Sequence, residues 1–462
     1  MIFEALACLL ALWATWKLSG RSLGHGLAAA LAVGFVYGIV RARFTGGAMH
    51  FLFDAALVGL YAGVFGRRWR SRDDGPVRPW VVVLTLWPVL MMCIPFQHPL
   101  VQLVGLRAAV FYLPCVLLGA RAREEDLQVV ARAVAVLDLV ALLFGGLEFL
   151  LGVERFYPRS PVTQIIYMAQ DVGAEGSLRI PGTFPTSHAY GGTMVSTLPL
   201  LFAGWQSASS HRERVLFIGA AVAAAVGVFL SATRQPALYL FALSAFLLVF
   251  LPLPPSRRLP ILVGIALVAV VVVQSDRLQR FSTLTDPEVF AGRVRGSLNL
   301  GFLELLSEQP MGAGLGSAVG TSIPHFLQHL AAPQIGMENE WGRIALEQSL
   351  LGMLLWVGFV GLTIVRFPRG RRPWDLGRRL AWALTVMVWG TAFIGTGMLT
   401  SVPGTVLTLL FMGLLWRRRP APASRALQQA QDPPRAAPIQ PPARGAEDEP
   451  AQATRDQLPH RG

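Results

Sequence analysis

Large apolar residues in this chain fall in runs of about 17 to 25, set apart by short polar stretches. As a helix, such a run spans roughly 30 Å, the thickness of a bilayer's hydrocarbon core. Lipid offers no partners to backbone N–H and C=O groups, so each run is expected to be helical. The runs cover 1–18, 23–40, 48–66, 79–95, 99–120, 127–151, 188–205, 215–232, 235–253, 259–274, 342–365, 380–398 and 401–416. The expected fold class is therefore all-α: a polytopic transmembrane helical bundle of about 12–13 spans.

The polar segments between the runs are of two kinds. Arg67, Arg68, Arg70, Arg72 and Arg78 cluster in one. Arg121 and Arg123, Arg212 and Arg214, and Arg257 and Arg258 follow in alternate connections. Arg366, Arg369, Arg371, Arg372, Arg378 and Arg379 form the densest group, and Arg417, Arg418 and Arg419 end the last run. Clusters in every second connection share one side, which the positive-inside rule assigns to the cytoplasm. The C-terminus is then expected inside, and the first span is expected to direct insertion. Two of the outer, periplasmic connections are long, about 152–187 and 275–341. Loops beyond about 12–15 residues are usually functional or disordered. The first carries aromatics and the compact turn Arg179–His188. The second carries Ser297–Leu306, an apolar stretch suited to lie along a membrane surface. Residues 417–462, rich in Pro, Ala, Gln, Arg and Glu, read as a disordered cytoplasmic tail following the transmembrane domain 1–416.

Composition excludes several functions. Only 15% of the 462 residues are charged, against roughly 25% in an average soluble protein. The net charge of +13 is carried almost wholly by Arg, with Lys17 the single lysine. Because the Arg clusters sit between apolar runs, they orient spans, and no nucleic-acid partner is expected. Cys8, Cys93 and Cys115 all lie within apolar runs and read as small core residues. There is no HExxH, paired Cys-x-x-Cys or GxSxG, so metalloprotease, redox and serine-hydrolase chemistry find no support, and no metal or cofactor is expected.

Charged residues at the outer ends of the spans carry the candidate chemistry. They are Arg107, Arg179, Arg234, Arg293, Arg295 and Glu338, with Arg343 and Glu347 inside the following span. An ionisable group at a span centre costs roughly 2.5–3.5 kcal/mol, so it is a functional candidate by default. Guanidinium groups around one outer cavity suit an anionic ligand, since they pair bidentately with phosphate. A nearby carboxylate could take a proton. Each residue also has a plainer reading. Arg107 can snorkel to the interface, Arg293 and Arg295 can be solvated loop residues, Glu338 suits a helix N-terminus, and His188 reads as an ordinary loop histidine. The run Met311–Gly316 reads as a flexible turn at the membrane surface rather than a phosphate cradle, because no ATP is expected outside.

Four stretches, in order, resemble the O-antigen ligase and Wzy-type polysaccharide polymerase superfamily. They are Arg179-x-x-Gly182-Thr-Phe; Ser231-Ala-Thr-Arg234, similar to that family's Ser-Arg-Gly; Gly292-Arg293 followed by Gln309-Pro-Met-Gly-Ala-Gly-Leu-Gly316, similar to Pro-Leu-x-Gly-x-Gly; and Glu338-Asn339 with Glu347-Gln-Ser-Leu-Leu-Gly352, similar to His-Asn-x-Tyr and Glu-x-Gly-hydrophobic-hydrophobic-Gly. Together they cover about 170–365. The resemblance implies a helical glycosyltransferase of the C-type group, independent of metal and nucleotide sugar. It would move a glycan from an undecaprenyl-pyrophosphate carrier to an acceptor glycan outside the bacterial cytoplasmic (inner) membrane. Carried over, Arg234 and Arg293 hold the pyrophosphate and Glu338 acts as base, with Arg179, Arg107, Arg295, Arg343 and Asn339 binding substrate. Chain-length regulator and flippase proteins are the implied partners. Ligases carry His where this chain has Glu338; that departure favours a polymerase of repeat units over ligation to lipid A and leaves Glu340 as another possible base. The alternatives are a flippase for a lipid-linked glycan, disfavoured because the cytoplasmic halves of the spans are almost charge-free, and a RodA-like peptidoglycan polymerase, whose motif order fits less well.

Overall fold

The computed structural model describes residues 2–68, 72–168, 178–250, 309–319, 325–330, 339–370, 372–395 and 399–417, with a few isolated positions between 288 and 336. Its helices are α1 (Ile2–Ser19), α2 (Leu23–Arg43), α3 (Leu52–Arg68), α4 (Arg78–Met92), α5 (Pro99–Val110), α6 (Pro114–Arg121), α7 (Glu124–Leu151), α8 (Gln164–Met168), α9 (Ser187–Ser207), α10 (His211–Leu230), α11 (Arg234–Phe250), α12 (Glu340–Val365), α13 (Pro373–Gly390) and α14 (Gly404–Trp416). Strand structure among the described residues is one short parallel pairing, Ala318 with Ile335 and Val319 with Gly336. The expected spans fall on these helices, except 259–274, which lies outside the described residues. So do Ser297–Leu306 and the expected tail from 418 onward.

Eight helical segments among the described residues are long and apolar enough to cross a membrane, while α11 and α14 are shorter apolar helices. Two expected spans are interrupted. The run 99–120 folds as α5 and α6, with Pro114 starting the second helix, where its missing N–H costs no helical hydrogen bond. In α12 the backbone breaks at Ser349, whose φ is 67°.

Helix α14 is the clearest product of its composition. A helix apolar all round belongs in a core, and every residue from Thr405 to Trp416 is buried. Helices α6, α9 and α13 pack around it. Helix α1 is the opposite case: Ile2, Phe3, Leu6, Leu9, Leu10 and Trp13 form an exposed apolar face. A face of that kind is rare on a protein surrounded by water, whereas lipid tails accept it.

The helices alternate in direction, which gives the bundle two chemically different ends. At one end Gly24 N–H donates to Asp126 (2.9 Å), Gln128 donates to Glu213 (2.8 Å) and Arg366 lies over the Trp416 ring at 3.7 Å. Lys17, Arg121, Arg123, Arg212, Arg214, Arg372 and Arg378 collect there, near the helix termini of this Arg-rich end. At the other end are the C-termini of α2, α7, α10 and α13 and the N-termini of α9, α11 and α12.

Candidate functional site

The loop containing Arg179 is held from several sides at the end opposite the Arg clusters. Gly182 has φ 57° and donates its N–H to Glu148 Oε2 at 2.8 Å. The Tyr157 hydroxyl lies between the carbonyls of Gly182 (2.6 Å) and Phe184 (3.0 Å). Ile39 N–H donates to the Thr183 carbonyl at 3.1 Å. Tyr157 is fully buried, and burial first, then the Glu148 carboxylate, pushes its phenol well above the usual tyrosine range. It therefore acts as a neutral donor. Arg179 itself is buried at 7% exposure, with Nη1 3.5 Å from His188 Nε2. Thr186 then caps α9 by accepting the Ala189 N–H at 3.1 Å. A short open cleft of about 300 Å³ lies nearby, lined by Arg159, Ser160, Pro161, Gln164 and Tyr167. No expected site residue lines it.

The second stretch packs on α9, the helix that follows the first. A Cβ on Gly191 in α9 would lie 2.5 Å from Thr233 Oγ1 and closer still to Ser231 Oγ, so the side-chain-free face of α9 is what admits the α10–α11 turn. The two hydroxyls, Ser231 and Thr233, bond to each other at 2.6 Å. Arg234 follows as the first residue of α11 and is partly exposed. A cation there opposes the positive end of the helix dipole. Helix stability alone would not select Arg at this position.

The second stretch reaches the fourth through the turn 391–395. Gln235 Nε2 donates to Thr391 Oγ1 (3.0 Å) and to Tyr239 (2.6 Å), and Tyr239 also bonds Thr391. The same turn accepts the Glu340 N–H at the carbonyls of Ala392 (2.8 Å) and Gly395 (3.0 Å). Asn339, 3% exposed, caps α12 by accepting the Gly342 N–H. Arg343 is fully buried between two carboxylates. Its Nη2 is 2.5 Å from Glu340 Oε1 and its Nη1 2.7 Å from Glu347 Oε2. The expected direct contact of Arg343 with substrate does not match this placement, because its fork is committed to the two carboxylates and no side-chain surface is open.

The third stretch closes on α12. Ala313 N–H donates to the Leu346 carbonyl at 2.8 Å, and Leu350 N–H donates to the Pro310 carbonyl at 3.3 Å. These bonds serve backbone groups that the break at Ser349 takes from the helix. The Trp87 indole serves another, donating to the Gln348 carbonyl at 2.7 Å. The run 311–316 is thus not a flexible surface turn. Leu315 and Ser317 are fully buried, and Gln97 donates to the Ala313 carbonyl at 2.9 Å. Its glycines are needed for backbone shape: Gly312 and Gly314 have φ of 73° and 92°, and a Cβ on Gly314 would sit 2.5 Å from Phe96.

Arg107 lies on α5, whose Gly105 packs against Leu315 and Gly316 of the third stretch. Its Nε and Nη2 bond Asp54 bidentately at 2.6 and 2.5 Å, and Nη2 also reaches the Tyr112 hydroxyl at 3.2 Å. Its charge is met by a carboxylate rather than carried alone to the interface. The sequence reading missed Asp54 because the pair is separated by 53 positions. It also missed Glu148 and Tyr157, although an acidic residue in the last turn of an apolar helix was a readable signal. Arg41 and Arg43 end α2 on this same side, so the charge asymmetry of the two ends is less complete than expected. Arg293, Arg295 and Glu338 lie outside the described residues.

No protein-family model matches this chain, and no curated protein matches it.

Proposed function

We propose that the protein is a membrane glycosyltransferase that joins oligosaccharide repeat units carried on undecaprenyl pyrophosphate, acting as a polymerase rather than a lipid A ligase. The observation that supports this reading best is adjacency. The four stretches that resemble the polymerase and ligase superfamily are far apart in sequence, yet their described parts gather at the end of the bundle opposite the Arg clusters: 310–313 bonds directly to 346–350, Ser231 and Thr233 pack on the helix that follows the first stretch, and the turn 391–395 bridges Gln235 to Glu340. By the positive-inside rule that end faces the periplasm of a bacterial inner membrane, and the C-terminus is cytoplasmic. Lipid-linked donors are presented on that face.

Helices α9, α11 and α12 all begin at this end, and the N-terminus of a helix favours an anion. Arg234 adds a guanidinium at one of those termini. The chemistry follows from this. A hydroxyl of the acceptor glycan attacks the anomeric carbon of the donor, and the bond from that carbon to the pyrophosphate oxygen breaks. Glu338 takes the hydroxyl proton, and undecaprenyl pyrophosphate leaves with the bonding electrons. Negative charge grows on the leaving group as the bond lengthens, so Arg234, with Arg293 and Arg179, stabilises the transition state more than the ground state. No metal is needed to neutralise that charge if the guanidiniums do so.

The test is covalent lengthening of a lipid-linked oligosaccharide by purified protein in detergent, with no sealed bilayer. Wild-type protein is expected to lengthen it, while Arg234→Ala and Glu338→Ala insert normally and form no polymer. Full activity in both variants would overturn the assignment. Movement of the glycan across a sealed vesicle without covalent growth would identify a flippase instead.

A further inference from the structure

Glu148 is hard to explain by stability. It is a polar side chain in the last turn of the apolar helix α7. It is 1% exposed, and although Oε2 accepts the Gly182 N–H at 2.8 Å, the buried Oε1 has no hydrogen-bond partner among the described residues. A single hydrogen bond leaves part of this buried carboxyl group unserved, which costs stability. Such a group persists where it does something besides holding the fold together.

What it holds is the loop of the first stretch, and it does not hold it alone. Gly182 is gripped at both polar groups, its N–H by Glu148 and its carbonyl by Tyr157. The Phe184 carbonyl shares the Tyr157 hydroxyl, and the Thr183 carbonyl is taken by Ile39 of α2. Tyr157 is fixed in turn by Tyr167, which donates to its carbonyl. Between the gripped segment and Arg179 stand only Ile180, fully buried, and Pro181, whose ring restricts the backbone. A shift at Gly182 is therefore carried to Arg179 with little slack.

We infer that Glu148 and Tyr157 are positioning residues: together they brace the 179–184 loop and so set the Arg179 guanidinium against the pyrophosphate of the donor. The inference rests on the glycan-transfer reading above, and its test separates the two. Hydrogen exchange over residues 179–186 reads the brace without any substrate. In Glu148→Ala, and more mildly in Tyr157→Phe, exchange at Gly182 to Phe184 should rise by about tenfold or more while the helices keep their protection. Steady-state transfer in detergent reads the consequence. A misplaced guanidinium should lower kcat by roughly 10- to 100-fold with little change in KM. Glu148→Gln, which keeps a carbonyl oxygen for the Gly182 N–H, should recover most of that loss.

The deciding comparison is Glu148→Ala in an Arg179→Ala background. If Glu148 acts through Arg179, the second substitution adds less than about twofold. Losses that multiply, or unchanged exchange in Glu148→Ala, would overturn the proposal. Wild-type protein that transfers no glycan would overturn the reading of function, and the exchange result would then judge the brace by itself.

Discussion

Arg343→Ala removes the cation from between Glu340 and Glu347 and leaves both carboxylates where they are. None of the three side chains has any exposed surface, and the contacts are 2.5 and 2.7 Å. Taking one partner from a buried ion pair costs about 3–5 kcal/mol, because the remaining charge is uncompensated. Here two carboxylates lose the same partner, so the loss should reach at least that range. Screening by solvent does not reduce it, since water has no access. At about 2 °C per kcal/mol for a large domain, Tm should fall by roughly 6–10 °C. Thermal unfolding in detergent, followed by Trp fluorescence, measures this directly, because Trp341, which lies between Glu340 and Arg343 in sequence, packs at a tilt against Trp389 with ring centroids 5.1 Å apart. The contrasting variant is Glu340→Gln with Arg343→Met and Glu347→Gln, which removes all the charge and keeps the volume. It should recover at least half of the loss, since apolar or neutral replacements of buried ion clusters are often tolerated. If the single variant melts within about 1 °C of wild type, or the triple variant melts below the single one, the triad is not the electrostatic unit described here.

Two further outcomes follow from the fold. Asp54 and Arg107 should behave as a coupled pair: Asp54→Ala and Arg107→Ala each destabilise, and the double variant should lose about 1–2 kcal/mol less than their sum, a value tempered by the 32% exposure of the Arg107 side chain. A double-mutant cycle by thermal unfolding checks it, and simple additivity would show that the pair is incidental. For topology, single cysteines replacing Arg123 and Pro161 in a cysteine-free background should label from opposite faces of intact cells, with the position at 161 reactive outside. Labelling of both from one face would reverse or void the assignment of the two ends.

How much of this was readable in advance depends on how local the cause is. An apolar run of span length meets a local requirement, the pairing of each backbone group within its own segment. Eight of the expected spans were therefore legible as helices long and apolar enough to cross a membrane among the described residues. Breaks were less so. Pro114 announces the division of α5 from α6, but nothing adjacent to Ser349 announces that α12 opens there, because the groups that repair the opening come from Pro310, Ala313 and Trp87. The Gly-rich run was misread as a loose turn for the same reason: its positive φ values were foreseeable, but the α12 and Phe96 surfaces that clamp it were not.

The charged residues divide in the same way. That Arg179 and Arg234 fall on the side opposite the dense Arg clusters was visible from the alternation of loops alone. Whether an ionisable group is committed or available is a matter of what stands opposite it, and electrostatic partners are chosen in space. Asp54 neutralises Arg107 across 53 positions, whereas Arg343 is enclosed by carboxylates three and four residues away, a helical spacing that the sequence did display. The chain by itself determined that it builds apolar helices with two unlike ends. Only tertiary packing decided which charges those ends consume in holding the bundle and which they bring together, because burial and the distance between charges are properties of the folded arrangement.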